Sequence, residues 1–316
     1  MSTATAGPAR GLQAVKTYLE MIKVEHSVFA LPFAMIGMMY ADLSLTPSTR
    51  GVLRELGRGA GAVVADGWPG WTVFLLILLA MVSARSAAMA FNRIADRKID
   101  ALNPRTARRP LQTGALSTRQ AFTFFLLSCA LFFLAAALLN RLTLTLAPVA
   151  LIILLGYSYT KRFTSFSHLF VGLSLGIAPA GAWVAVTGEF SWTPLFWILA
   201  VTFWTGGFDV LYSLQDDDFD REHGLKSLPV LLGRERAIIA SRAFHLLAVI
   251  SLAAAGLTVG AGAPYFFGVM FAAGLLIYEQ SLVDANDLSR INVAFFTLNG
   301  YVAIGMFLFS LLDVLA

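Results

Sequence analysis

Two acidic clusters stand out in a chain that is otherwise poor in charge. The first reads Asn92-Arg-Ile-Ala-Asp96-Arg-Lys-Ile-Asp100, the second Asp209-Val-Leu-Tyr212-Ser-Leu-Gln215-Asp216-Asp-Asp-Phe-Asp220. Asn92, Asp96 and Asp100 recur every four residues, as do Asp216 and Asp220, so on a helix each set lines one face. Carboxylates at that spacing repel one another unless a cation sits between them. Their oxygens suit Mg²⁺, which keeps several waters and is shared with substrate phosphates. A single cluster reads equally well as a solvated helix end. A second one, with Asp216 120 residues after Asp96, points instead to a shared site.

Basic residues follow the acids. Arg105 and Arg109 lie in Asn103-Pro-Arg-Thr-Ala-Arg-Arg-Pro110, Lys226 in Gly224-Leu-Lys-Ser227, and Lys161 and Arg162 end Tyr157-Ser-Tyr-Thr-Lys-Arg162. Guanidinium forks bind phosphate oxygens, so carboxylates with converging Arg and Lys describe a site for a metal-bound diphosphate. Arg85 lies seven residues before Asn92, two helical turns deeper on nearly the same face and inside an apolar block. A charge there is costly and marks either a carboxylate-bearing ligand or an ion pair, Asp209 being the candidate partner.

The elements that must position these residues are membrane helices. Of 316 residues, 58% are hydrophobic and only 13% charged, about half the charge of a typical soluble domain. Apolar blocks near the length needed to cross a bilayer recur along the chain. They predict nine spans: Val24–Ala41, Trp71–Phe91, Gln120–Leu139, Leu142–Tyr159, Leu169–Val186, Pro194–Tyr212, Ala237–Val259, Pro264–Val283 and Ile291–Leu312. Very short turns at Asn140–Arg141 and Gly260–Ala263 make their flanking spans antiparallel neighbours. The expected fold is all-α, one membrane-embedded domain over 1–316, with two pseudo-repeated four-helix units plus one helix.

Residues 1–20 form an N-terminal segment without the pattern of a cleaved signal peptide, and 42–70 a loop in which Leu43–Leu56 is expected to form a short surface helix. With the N-terminus inside, only Arg50, Arg54, Arg58 and Arg141 among the loop cations fall outside, so both acidic clusters face the cytoplasm and the C-terminus lies outside. The single cysteine, Cys129, excludes a disulfide framework or a cysteine metal site within the chain. His26, His168, His223 and His245 show no metal-ligand spacing and read as structural. Asp217, Asp218 and Glu222 read as solvated. Gly172, Gly176 and Gly181 read as allowing close helix packing.

At the acidic clusters the sequence resembles the UbiA superfamily of intramembrane aromatic prenyltransferases. The first family motif stands as Asn92, Asp96 and Asp100, followed by Arg105, Thr106, Arg109 and Pro110. The second stands as Asp209, Tyr212, Gln215, Asp216 and Asp220, with Gly224, Lys226 and Ser227 behind it, and a further element as Tyr157, Lys161 and Arg162. The resemblance covers about residues 20–312. It implies Mg²⁺ held by Asp96, Asp100, Asp216 and Asp220, and a polyprenyl diphosphate bound by Arg105, Arg109, Lys161, Arg162 and Lys226. It implies an aromatic carboxylic acid such as 4-hydroxybenzoate as acceptor, with Arg85 on its carboxylate and Asn92, Tyr157 and Asp209 beside the ring. The donor tail would leave between spans into lipid.

Arg93 stands where many members carry Asp, which leaves the acceptor open. Met21-Ile-Lys-Val-Glu-His26 looks more like the branch thought to serve menaquinone synthesis, where the acceptor is a dihydroxynaphthoate. Protohaem, a chlorophyllide and homogentisate are further family acceptors. The reading from another class is a cation-coupled transporter, since intramembrane carboxylates and repeats occur there too. Transporter sites lie near the bilayer midplane, however, whereas these acids lie at helix ends beside basic loops. Partners beyond the substrates and the bilayer, nucleic acid or an obligatory protein, are not expected.

Overall fold

The computed structural model describes residues 12–22, 27–45 and 67–316. Every regular element among them is helical: α1 (Leu12–Ile22), α2 (Ser27–Ser44), α3 (Trp71–Ala95), α4 (Arg97–Leu102), α5 (Thr118–Leu139), α6 (Arg141–Thr160), α7 (Ser167–Thr187), α8 (Leu195–Ser213), α9 (Asp217–Glu222), α10 (Leu228–Leu232), α11 (Arg234–Val259), α12 (Ala263–Ser281), a π-turn (Val293–Leu298) and α13 (Asn299–Leu315). A helix stands at each of the nine expected positions. Among the described residues, seven of them (α3, α5, α6, α7, α8, α11, and the π-turn with α13) are long and apolar enough to cross a membrane; α12 is not among these, and Phe29–Ser44 of α2 is a shorter apolar helix. Most of the expected Leu43–Leu56 surface helix, and Lys23–His26, lie outside the described residues.

The helices close into a ring. α3 packs on α5 and α6, α6 on α7, α7 on α8 and α2, α8 on α11, α11 on α12, α12 on α13, and α13 back on α2. Large side chains fill the middle: Phe33, Trp197, Trp204, Tyr265 and Met306 are all buried. Leu127, Ile152, Leu257 and Ile277 are exposed on the outside. In water such a surface would aggregate; against lipid tails it is matched to its solvent.

The short turns form as expected, and the sequence explains them. Asn140 caps α6, its Oδ1 accepting from the Thr143 amide at 2.8 Å, while its Nδ2 donates to the Val184 carbonyl at 2.8 Å and pins α7 alongside. Gly260 closes α11 at φ 65°, a left-handed conformation that glycine adopts without strain. The three α7 glycines divide. A Cβ on Gly172 would run into the Thr202 carbonyl of α8, and one on Gly176 into the Thr202 side chain and the Ile198 carbonyl, so both permit the close α7–α8 approach. Gly181 meets nothing and needs another explanation. Gly172→Ala is therefore expected to cost about 1–3 kcal/mol through overpacking, read as a lower thermal midpoint in detergent. Gly181→Ala, with open space for the methyl group, should instead raise the midpoint slightly, alanine being favoured over glycine inside a helix by up to about 1 kcal/mol.

Within the N-terminal segment, α1 is a helix that docks on the bundle. Met21 and Ile22 are buried with Ala90, Leu111 and Ala121, and Tyr18 stacks on Phe124 at 5.0 Å.

Candidate active site

Both acidic motifs are built the same way. Each long helix stops shortly before a central aspartate, one residue before Asp96 and three before Asp216; the aspartate backbone leaves helical geometry, and a separate six-residue helix then follows. Asp96 sits at φ −93°, ψ 6° between α3 and α4; Asp216 sits at φ −110°, ψ 3° before α9. These angles lie in the sparsely populated bridge region. The four-residue spacing survives the bend, because the Asp100 amide donates to the Asp96 carbonyl at 2.8 Å and the Asp220 amide to that of Asp216 at 2.7 Å. The straight helix expected from spacing is thus a bent one in both motifs.

The two bends face each other across one cleft of about 180 Å³. Asn92, Asp96, Asp100, Asp209, Asp216 and Asp220 all line it, as do Arg105, Arg109, Tyr157, Lys161 and Arg162. The carboxylates are paired with the cations, chiefly across elements. Arg105 grips Asp216 with two nitrogens, Nε lying 2.9 Å from Oδ1, and Asn103 adds a bond at 3.2 Å. Arg109 reaches Asp100 at 2.6 Å, Lys161 reaches Asp220 at 3.2 Å and Arg162 reaches Asp96 at 3.1 Å. Asn92 donates to the other Asp96 oxygen at 2.8 Å. Arg93 is buried behind this set, 3.2 Å from Asn92 Oδ1 and 4.0 Å from Asp100.

Two expected site residues lie elsewhere. The Lys226 amine donates to the Phe163 carbonyl at 3.2 Å and does not line the cleft, although the neighbouring Leu225 does. Arg85 is half-buried deeper along α3 and is likewise absent from the lining. Its expected partner Asp209 is held by His168, at 2.7 Å. Asp217, read as solvated, is buried; Arg234 donates to its two oxygens at 2.8 and 2.7 Å, and the Asp218 amide adds a third bond at 3.0 Å. Asn103, Arg93 and Ser158, which lie inside the quoted motifs without an assigned role, line the cleft, and His168, outside every motif, stands behind it.

The two central carboxyls differ in acidity. Burial pushes Asp96 up, and the Asp100 charge adds to the rise, while Arg162 and Asn92 oppose it without reversing it. Burial acts on Asp216 in the same sense, but Arg105, with help from Asn103 and Lys161, outweighs it and holds that group below the usual carboxylate range. Protons compete with metal for a carboxylate. The Mg²⁺ concentration for half-maximal rate is therefore expected to rise as pH is lowered from neutrality, Asp96 being protonated before Asp216. Titration of Mg²⁺ at fixed donor over a pH series measures this; a requirement independent of pH would contradict it.

Among the described residues, no three His, Cys, Asp or Glu side chains are clustered closely enough to hold an ion by themselves. The donor set still fits Mg²⁺. It is all oxygen, comes from both sides of the cleft, and matches a cation that binds through one or two carboxylates plus waters and substrate phosphates, without an all-protein cage.

A family model described as the UbiA prenyltransferase family matches residues 59–311. The chain is 33% identical over 249 residues to a 4-hydroxybenzoate octaprenyltransferase from Vibrio vulnificus, covering 78% of this chain and 87% of that one. Its fold superposes on a UbiA homologue from Aeropyrum pernix K1 with a TM-score of 0.77 at 36% identity, over 92% of this chain and 98% of that one. It also superposes on a UbiA homologue from Archaeoglobus fulgidus bound to GPP and Mg²⁺, with a TM-score of 0.66 at 20% identity over 95% and 100% of the two chains, a likeness of fold.

Proposed function

Because the chain belongs to the UbiA prenyltransferase family, we propose that it is a multi-pass membrane enzyme that transfers a polyprenyl group from its diphosphate to 4-hydroxybenzoate. The names of the similar curated enzymes support that acceptor over dihydroxynaphthoate.

The observation that carries the reading is the charge balance of the cleft. Five carboxylates (Asp96, Asp100, Asp209, Asp216, Asp220) face five cations (Arg93, Arg105, Arg109, Lys161, Arg162). A bare diphosphate would leave this neutral cleft strongly negative, and bare divalent ions would leave it strongly positive. A diphosphate with its metal ions brings little net charge and can exchange partners with both sets. The cleft is also too small for a long hydrocarbon chain, which fits a donor whose tail lies among the helices or in lipid.

Asp96 and Asp100 from one bend, with Asp216 and Asp220 from the other, would hold Mg²⁺. When bound, Mg²⁺ supplies Lewis-acid neutralisation of the diphosphate oxygens. Arg105, Arg109, Lys161 and Arg162 would turn from the carboxylates to the diphosphate and stabilise the charge that collects on its leaving oxygen. The allylic C–O bond breaks, its electron pair leaves with the diphosphate, the ring carbon ortho to the hydroxyl attacks the allylic cation, and that carbon then loses its proton to water or to the released diphosphate. Asn92, Asp209 and Tyr157 line the deeper wall, where they would orient the ring. Arg85, further along α3, would meet the acceptor carboxylate. The cleft would open to the cytoplasm from a cell inner membrane, a placement supported by the Lys and Arg concentrated on its side of the chain.

The test is incubation of membranes containing the chain with Mg²⁺, a labelled polyprenyl diphosphate and a panel of aromatic acids. Prenylated 4-hydroxybenzoate whose formation stops with EDTA and resumes with Mg²⁺ is the expected product. Uptake of substrate into sealed vesicles without covalent change would favour transport and end this reading.

A further inference from the structure

We propose that His168 is a positioning residue for the aromatic acceptor, acting through Asp209; this rests on the prenyl-transfer reading. Asp209 differs from the other four carboxylates of the cleft in its partner. Theirs are long cationic side chains that are 22–39% exposed and can swing to a phosphate. The partner of Asp209 is the imidazole of His168, which is 0% exposed and lies behind the cleft wall at the start of α7. It cannot move off to another anion. Asp209 is therefore withheld from the exchange that loads metal and diphosphate, while its exposed part faces the cleft.

The imidazole is fixed from both sides. Its Nε2 lies 3.3 Å from the backbone nitrogen of Leu228, an amide that can only donate, so Nε2 presents its lone pair. The ring proton then resides on Nδ1 and is donated to Asp209 Oδ2 at 2.7 Å. One tautomer and one ring orientation result, and Asp209 is aimed as an acceptor of a hydrogen bond. The chemistry on offer in the cleft that suits it is the phenolic hydroxyl of the second substrate. Leu228 also ends the loop whose Leu225 amide bonds the Asp220 carbonyl at 2.8 Å and whose Lys226 amide bonds that of Lys161 at 2.7 Å. That loop is held at the donor side by these backbone bonds of its own, independently of His168.

Three variants in the full-length enzyme in membranes, assayed with Mg²⁺, a polyprenyl diphosphate and 4-hydroxybenzoate, test this. His168→Ala removes both bonds. His168→Asn places an amide nitrogen near Nδ1 and keeps the donor to Asp209, whereas His168→Gln reaches toward Nε2 and loses it. For His168→Ala, kcat/KM for 4-hydroxybenzoate is expected to fall about ten- to a hundred-fold, the range for losing an orienting hydrogen bond behind a site. The donor KM and the Mg²⁺ half-saturation should stay within about two-fold. His168→Asn should recover most of the loss and His168→Gln little.

A merely structural histidine would instead shift donor, metal and acceptor parameters together. That result, unchanged acceptor kinetics in His168→Ala, or His168→Asn no better than His168→Gln would each overturn the proposal. Should His168→Ala fail to fold, the Asn against Gln comparison decides. Failure of the unaltered chain to prenylate any aromatic acid removes the prenyl-transfer reading and this proposal with it. Normal transfer with unmoved variants removes this proposal alone.

Discussion

Asp216→Asn is expected to lower Mg²⁺-dependent transfer by at least about three orders of magnitude, the scale on which charge stabilisation of a departing diphosphate contributes. The amide keeps the shape of the carboxylate but not the charge that would hold a cation and that now engages Arg105 and Asn103. Asp96→Asn should fail to the same degree, since Asp96 occupies the matching bend. The neighbouring Asp217 provides the control. Its carboxylate is spent on a two-pronged bond to Arg234 at the head of α11. Asp217→Asn is therefore expected to lower the thermal midpoint while leaving kcat near that of the parent. Turnover retained by Asp216→Asn would refute its role in metal binding; turnover lost equally in both variants would show only a folding defect.

Arg105→Lys is expected to reduce kcat/KM for the donor about a hundred-fold, with Mg²⁺ still required. The charge is conserved, but the geometry is not. Arg105 presents two nitrogens to Asp216 while its guanidinium lies 5.4 Å from the centre of the Tyr212 ring, so its plane is held from two directions. A lysine amine supplies a point charge without the fork that matches two phosphate oxygens. Inhibition by inorganic diphosphate should weaken in parallel if the group lost is the one that would recognise the leaving group. A lysine variant as active as the parent would mean that Arg105 serves only to neutralise Asp216.

The elements were readable where the physics is local. Long apolar blocks put helices at all nine expected places, and Asn140 and Gly260 mark their turns through capping chemistry that acts over three or four residues. The convergence of Asp96 and Asp216 could be anticipated from two like motifs, because repelling carboxylates need a common cation. The bends could not, since a four-residue spacing fits a straight helix as well as a broken one. Nor could the pairings. Arg162 meets Asp96, and Arg105 meets Asp216, only once distant helices have assembled. The same limit explains Asp217 and His168. A carboxylate in a charged run looks solvated until Arg234 comes beside it, and a solitary histidine gives no sign in the sequence of the Leu228 and Asp209 that close on its two nitrogens.

The bends at Asp96 and Asp216 divide the labour between two solvents. Before each bend the chain is an apolar helix long enough to cross a bilayer; beyond it, the second carboxylate rides on a six-residue helix and a polar loop. An amphiphile straddling that line keeps its head hydrated and its chain dissolved, without ever being lifted out of the bilayer. The quantity that sets the rate for such an enzyme is the mole fraction of donor in the surrounding lipid, so diluting the membrane with inert phospholipid should slow turnover even when the amount of donor per millilitre is held constant.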